Sequence, residues 1–311
     1  MTGAELWLDW QPLPAPACQL GESPFWHPDE QALYWLDIPG RALHRWQPGP
    51  GPGPVAGGTH RHWALPTEPG CIAPLPDGRL LMARRDGLFR FDTATGAAER
   101  LADPPYDPAT ERFNDGKADA AGRLWVSTIY EPRDKAVAGL YRWDGATLER
   151  LLGGLTIGNG LAFSADGRTV CTADTPTHEV VAHTLDAGTD RLVQPRVLHR
   201  FAPKVPGAPL EDYGGRPDGA AMDVDGICWV AMMEGQRLAC LGPDGSLRAS
   251  VPLPVRCPTM PCFGGADGRT LFVTTASINR PAAELAAQPW AGRVLMVRAP
   301  VAGLPVNFAH G

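Results

Sequence analysis

Four polar side chains recur in phase with a series of glycine-containing turns. They are Glu22 in Leu20-Gly21-Glu22-Ser23-Pro24, Asn114 in Arg112-Phe113-Asn114-Asp115-Gly116, Asn159 in Asn159-Gly160, and Asp218 in Pro217-Asp218-Gly219. After the last three, a second glycine turn follows about seven residues later. Two carboxylates and two carboxamides make a hard-oxygen donor set without a soft sulfur ligand, which suits one divalent cation. Oxygen donors leave the choice open among Ca²⁺, Mg²⁺, Mn²⁺, Zn²⁺ and Fe²⁺. Taken singly, Asn-Gly and Asp-Gly are turn dipeptides before they are ligands. Their common phase is what argues for one shared site. Arg112 and Glu131 flank a strand of the same unit at its two ends, and the plain reading of such charges is a surface pair of small energetic weight.

Residues so far apart in sequence need a fold that brings equivalent positions of successive units face to face. Six turn-plus-strand units are legible. They pair Asp29-Glu30 with Ala32 to Leu36, Asp77-Gly78 with Leu80 to Ala83, and Ala121-Gly122 with Leu124 to Val126. The other three pair Asp166-Gly167 with Thr169 to Thr172, Asp225-Gly226 with Ile227 to Val230, and Asp267-Gly268 with Thr270 to Val273. Most are spaced by about 42 to 48 residues, while Gly167 to Gly226 takes about 59. The excess is assigned to an irregular, Pro-rich insertion at Val197 to Gly215. Second strands follow most units, as in Gly87 to Phe91, Gly139 to Trp143, Glu179 to His183 and Gly292 to Val297.

A period near 45 with about four short strands per unit is the signature of a β-propeller. The fold class expected is therefore all-β, a six-bladed propeller around a central metal-binding channel, with one domain over residues 1–311. Only Ala282 to Ala287 offers a helical turn. Glu5 to Trp10 is expected to pair with the last blade and close the ring, removing a sheet edge. Gln47 to Gly58 is a Pro/Gly-rich tract read as a flexible surface loop.

The bulk numbers exclude several classes. The chain has 311 residues, of which 44% are hydrophobic, enough for a packed core. A formal charge of −6 with no basic run argues against nucleic acid and anionic membrane as partners. No run of about 18 apolar residues suggests a membrane span. Met1 to Trp10 carries Glu5 and Asp9 and has no basic start, unlike a signal peptide. Seven scattered cysteines without a CxxC pair read as reduced thiols of a cytoplasmic protein, not a zinc cluster.

The segments Gly21 to Trp26, Arg112 to Trp125, Asn159 to Gly167, Pro217 to Val230 and Cys262-Phe263-Gly264-Gly265 resemble the SMP-30/gluconolactonase family, which includes regucalcin and bacterial sugar-acid lactonases. They span almost the whole chain in the family's order. The resemblance implies a six-bladed propeller with one divalent cation in its channel. It makes Glu22, Asn159 and Asp218 metal ligands and puts Arg112, Asn114 and Glu131 on the substrate side, with Asn114 near or on the metal. Ser23 stands where a second glycine is common in the family, and Ala220 where Met is common.

The activity that follows is metal-dependent hydrolysis of a sugar-acid lactone to its aldonic acid. A cation with open positions polarises the carbonyl and stabilises the tetrahedral oxyanion. Asp218 is the candidate general base. A catalytic Ser-His-Asp set is not expected, because no G-x-S-x-G is present. The alternatives are a paraoxonase- or phosphotriesterase-like hydrolase on the same fold, and a non-catalytic Ca²⁺-binding propeller. The partner expected is a small-molecule sugar lactone, with the protein a monomer or small homo-oligomer.

Overall fold

The computed structural model describes residues 3–49 and 57–310. Six antiparallel units of four strands stand in a ring, each starting with its innermost strand, and the fifth carries a further short parallel edge strand, Ala4–Glu5. The innermost strands are Gly21–His27, Pro69–Pro74, Glu111–Ala118, Gly158–Phe163, Arg216–Met222 and Pro258–Gly264. The architecture is a six-bladed β-propeller, as the repeat period predicts.

The turns between first and second strands are built by the repeated Asp-Gly chemistry. Asp119 Oδ1 accepts the amides of Ala121 and Arg123, and its Oδ2 accepts the Trp125 indole N–H at 2.8 Å. Asp223 repeats the device with Asp225, Ile227 and Trp229, again at 2.8 Å to the indole. Gly122 and Gly226 hold the left-handed position, with φ of +79° and +78°. The aspartate thus fixes the reversal and anchors the aromatic side chain of the next strand.

Six apolar clusters hold the ring, and each crosses one boundary between neighbouring blades. Trp125 and Leu140 of the third blade, for example, meet Leu161 and Val170 of the fourth. Because the apolar burial lies between blades, the axis is left free to be polar.

Four details differ from expectation. The outer strand of the sixth blade is Gln11–Pro12, paired with Met296 and Leu295. Within Glu5 to Trp10, Glu5 instead pairs in parallel with Ser250 on the fifth blade. The N-terminus therefore serves two blades, as two-residue strands too short to carry a hydrophobic period. The insertion after the fourth blade is shorter than Val197 to Gly215, since Val197 to Arg200 continue the outer strand Arg191–Arg200 against Val181 to Glu179. In the last blade, Gly292 lies in a turn ahead of the strand Leu295–Arg298. Gln47 ends the strand Ala42–Gln47, and residues 50–56 of the Pro/Gly-rich tract lie outside the described residues.

Among the described residues no helix is long and apolar enough to cross a membrane. Ala282–Ala287 is a short helix. All seven cysteines are buried and unpaired.

Candidate active site

Every innermost strand carries one residue more than its neighbour needs, a β-bulge facing the axis. The register shifts between Glu22 and Phe25, Phe113 and Gly116, Asn159 and Ala162, and Pro217 and Ala220. Shorter shifts fall between Pro69 and Cys71 and between Pro258 and Met260. A bulge leaves one residue unpaired and re-aims its side chain. All four polar residues singled out by phase, Glu22, Asn114, Asn159 and Asp218, lie at these bulges, as does Asp115.

The bulge chemistry explains the residues beside them. Gly160 takes φ +68°. Ser23 holds the same left-handed region at φ +49°, without glycine's freedom. Its hydroxyl accepts the Ile72 amide at 3.0 Å, tying the first blade to the second. Other hydroxyls stitch neighbouring blades around the axis. Ser127 donates to Gly158 O at 2.6 Å, Thr175 to Pro217 O at 2.9 Å, and Thr259 to Gly21 O at 2.6 Å.

Asn114 is the hub of the polar network. Its Nδ2 donates to Asn159 Oδ1 at 3.0 Å and to Gly158 O at 2.9 Å. Its Oδ1 accepts Arg112 Nη1 at 2.9 Å. Asn159 Nδ2 donates to Thr175 Oγ1 at 2.7 Å, and that hydroxyl holds the carbonyl next to Asp218. Asn159 is thereby oriented from both sides.

Glu22 and Asp218 are close enough to repel. Burial, then the negative charges of Asp218 and Asp115, pushes the Glu22 carboxyl well above the usual carboxylate range. Burial, followed by the Asp115 charge, pushes Asp218 up to about 7, against a pull from Arg216 and Arg112. Among the described residues neither makes an ion pair with a protein cation. Asp115, which is not among the four residues in phase with the repeat, joins them at the bulge. It is buried, its Oδ2 accepts the Leu161 amide at 2.9 Å, and its Oδ1 has no partner. Its signal was the unbroken polar run Asn114-Asp115 ahead of Gly116.

Among the described residues no group of three or more His, Cys, Asp or Glu is arranged to hold a metal ion by itself. The donor set here is two carboxylates and a carboxamide. It fits a hard divalent cation, because a half-buried and a buried carboxylate, both raised in pKa by burial and by neighbouring negative charge, have no direct ion-pair partner among the described residues.

Arg112 is buried, and burial lowers its pKa. Its Nη1 also donates to Phe113 O at 3.0 Å, and its Nε lies 3.4 Å from Glu131. Nη2 has no hydrogen-bond partner among the described residues. Glu131 is 39% exposed in its side chain and is gripped by Arg85 through two bonds of 2.9 Å. It belongs to the rim. Arg112, Glu131, Arg85 and Arg216 line a cavity of about 390 Å³ at this end of the channel. Leu20 and Arg216 on its wall stand two residues ahead of Glu22 and Asp218. A second, mostly apolar cavity of about 210 Å³ lies beyond the bulges, among Phe25, Trp26, Lys117 and Phe263.

A family profile described as SMP-30/Gluconolactonase/LRE-like region matches residues 20–277. The chain is 39% identical over 289 residues to a 6-deoxy-6-sulfogluconolactonase of Pseudomonas putida, covering 91% of this chain and 92% of that protein. It is 32% identical over 290 residues to an L-arabinolactonase of Azospirillum brasilense, covering 92% and 90%. The crystal structure of a calcium-binding protein, regucalcin, from Agrobacterium tumefaciens superposes with a TM-score of 0.86 at 26% identity, over 99% of this chain and 98% of that one. The chain belongs to the SMP-30/gluconolactonase family.

Proposed function

We propose that the protein is a divalent-metal-dependent lactonase that opens an aldonolactone, such as glucono-, galactono-, arabino- or xylonolactone, to the aldonic acid. The observation that carries this reading is the pair Glu22 and Asp218: half-buried and buried, held up in pKa by burial and by neighbouring negative charge, and without an ion-pair partner among the described residues. Relatives named as lactonases at 39% and 32% identity support the reaction class.

Glu22, Asn159 and Asp218 would hold the metal. When bound, it supplies Lewis acidity toward the lactone carbonyl and charge for the oxyanion. The remaining steps belong to the chain. Asp218 accepts a proton from the attacking water as the new C–O bond forms at the carbonyl carbon. That proton returns to the ring oxygen as the ring C–O bond breaks, so the carboxylate is regenerated. Arg112, with Nη2 unengaged, donates to a ring hydroxyl or to the developing carboxylate. Asn114 keeps Arg112 and Asn159 in register through its two ends. Glu131 restrains the Arg112 guanidinium from the rim.

The test is chelation followed by a metal titration, with gluconolactone, galactonolactone and arabinolactone assayed by pH-stat and paraoxon as a control substrate. We expect lactone hydrolysis to vanish on chelation and to return with one equivalent of metal. Hydrolysis unaffected by thorough chelation, or confined to paraoxon, would contradict the reading.

A further inference from the structure

The cavity over the channel is cationic although the chain as a whole is acidic. Five arginines line it, Arg85, Arg112, Arg133, Arg216 and Arg280, against three glutamates, Glu68, Glu131 and Glu234. That leaves an excess of two positive charges on a protein of net charge −6.

Most of these arginines are already engaged. Arg85 is shared between Glu131 and Glu68 at 2.9 Å each. Arg280 holds Glu284 at 2.6 Å and Glu234 at 3.0 Å. Arg216 reaches Glu234 at 3.2 Å and keeps a third of its side chain exposed. Arg133 stands apart. It ends the turn that starts at Tyr130, where its amide donates to Tyr130 O at 3.1 Å. It takes φ +60°, a left-handed conformation that a long side chain seldom adopts. Its exposed guanidinium has no hydrogen-bond or ion-pair partner among the described residues.

A neutral sugar lactone can accept a hydrogen bond from one guanidinium such as Arg112, but it offers no counter-charge to an excess of them. An oxyanion does, because a guanidinium fork matches the geometry of carboxylate, phosphate and sulfonate oxygens. We propose that this site selects lactones carrying an anionic group on the carbon chain outside the ring, with Arg133 as the residue that receives it and Arg216 as the second cation. The lactone ring then lies inward, toward Arg112 and Asp218. This rests on the lactonase reading above and adds the charge class of the substrate to it.

The experiment compares wild type with Arg133→Gln in two assays. The first is kcat/KM on gluconolactone and on its 6-phospho and 6-deoxy-6-sulfo forms. Wild type is expected to prefer a charged form, and the charged-to-neutral ratio is expected to fall roughly tenfold or more in the variant, the loss of one charge-assisted contact. Which charged form responds most separates phosphate from sulfonate. The second assay is calorimetric binding of 6-phosphogluconate and of gluconate, which needs no turnover. Tighter binding of the phosphorylated acid, lost in Arg133→Gln and weakened by salt, supports the inference even if no lactone is hydrolysed. Equal binding of the two acids by wild type, or an unchanged preference in the variant, overturns it while leaving neutral-lactone hydrolysis to stand or fall separately.

Discussion

Asn114 Nδ2 donates to Asn159 Oδ1 at 3.0 Å across the gap between the third and fourth blades. The two residues are 45 positions apart, and both project from bulges of innermost strands. One carboxamide thus fixes which way the other points. It leaves Asn159 Oδ1 only one further lone pair, so that oxygen is presented to the axis in a single orientation.

Asn114→Ala removes this restraint together with the acceptor for Arg112. Loss of a group that orients a metal ligand typically lowers metal affinity roughly 10- to 100-fold. We expect that weakening in a metal titration followed by calorimetry, with kcat partly recovered at saturating metal. Metal affinity equal to wild type would assign Asn114 to the substrate alone.

Ser23 occupies a left-handed position to place its hydroxyl under the Ile72 amide. Ser23→Ala keeps the backbone demand and leaves that buried amide without a partner. The expected loss is about 1–3 kcal/mol of unfolding free energy. Ser23→Gly relaxes the backbone but loses the same bond, so it is expected to lie between Ala and wild type. Urea melts of the three proteins check this order; Ala as stable as wild type would mean that the amide finds another acceptor.

His44 makes stability fall on the acid side. Its ring stacks on Trp35 at 5.1 Å and faces His60 at 3.0 Å. Burial, then repulsion from His60 and His62, holds its pKa down at about 3, against 6.5 for a free imidazole. Between those values the unfolded chain binds the proton and the folded chain does not. Stability from this group is therefore full above pH 6.5 and declines as pH falls toward 3, at up to ~1.4 kcal/mol per pH unit. His44→Phe keeps an aromatic ring over Trp35. We expect its unfolding free energy to drop less steeply than that of wild type between pH 7 and pH 5, and parallel slopes would contradict the assignment.

What was legible in the sequence was whatever the turn chemistry and the bulges impose. Asp119 and Asp223 each serve two amides and an indole, so Asp-x-x-Gly ahead of Trp recurs in the third and fifth blades, in step with the turn-plus-strand repeat that marks all six. The bulges need small or left-handed residues beside a polar one, which made Glu22, Asn114, Asn159 and Asp218 visible as a set. Ring closure was misassigned to Glu5 to Trp10 because Gln11–Pro12 is too short to show alternation. Asp115 sits next to Asn114 in an unbroken polar run, where phase alone picks out only one of the two. Arg133, Arg216 and Arg280 come from different parts of three blades and share no phase, so only the folded ring gathers them around one cavity.

The central claim is that Asp218 both completes a metal site and accepts the proton of the attacking water. Asp218→Asn keeps the size and one oxygen but removes the basic group, and general-base assistance contributes roughly 10²–10⁴-fold in rate. The decisive measurement is kcat for lactone hydrolysis by this variant at saturating metal, with occupancy verified by metal analysis on the same sample. The account predicts a fall of that size that added metal does not repair, whereas Asn159→Ala regains part of its rate as metal is raised. A metal-saturated Asp218→Asn enzyme turning over at nearly the wild-type rate would contradict it.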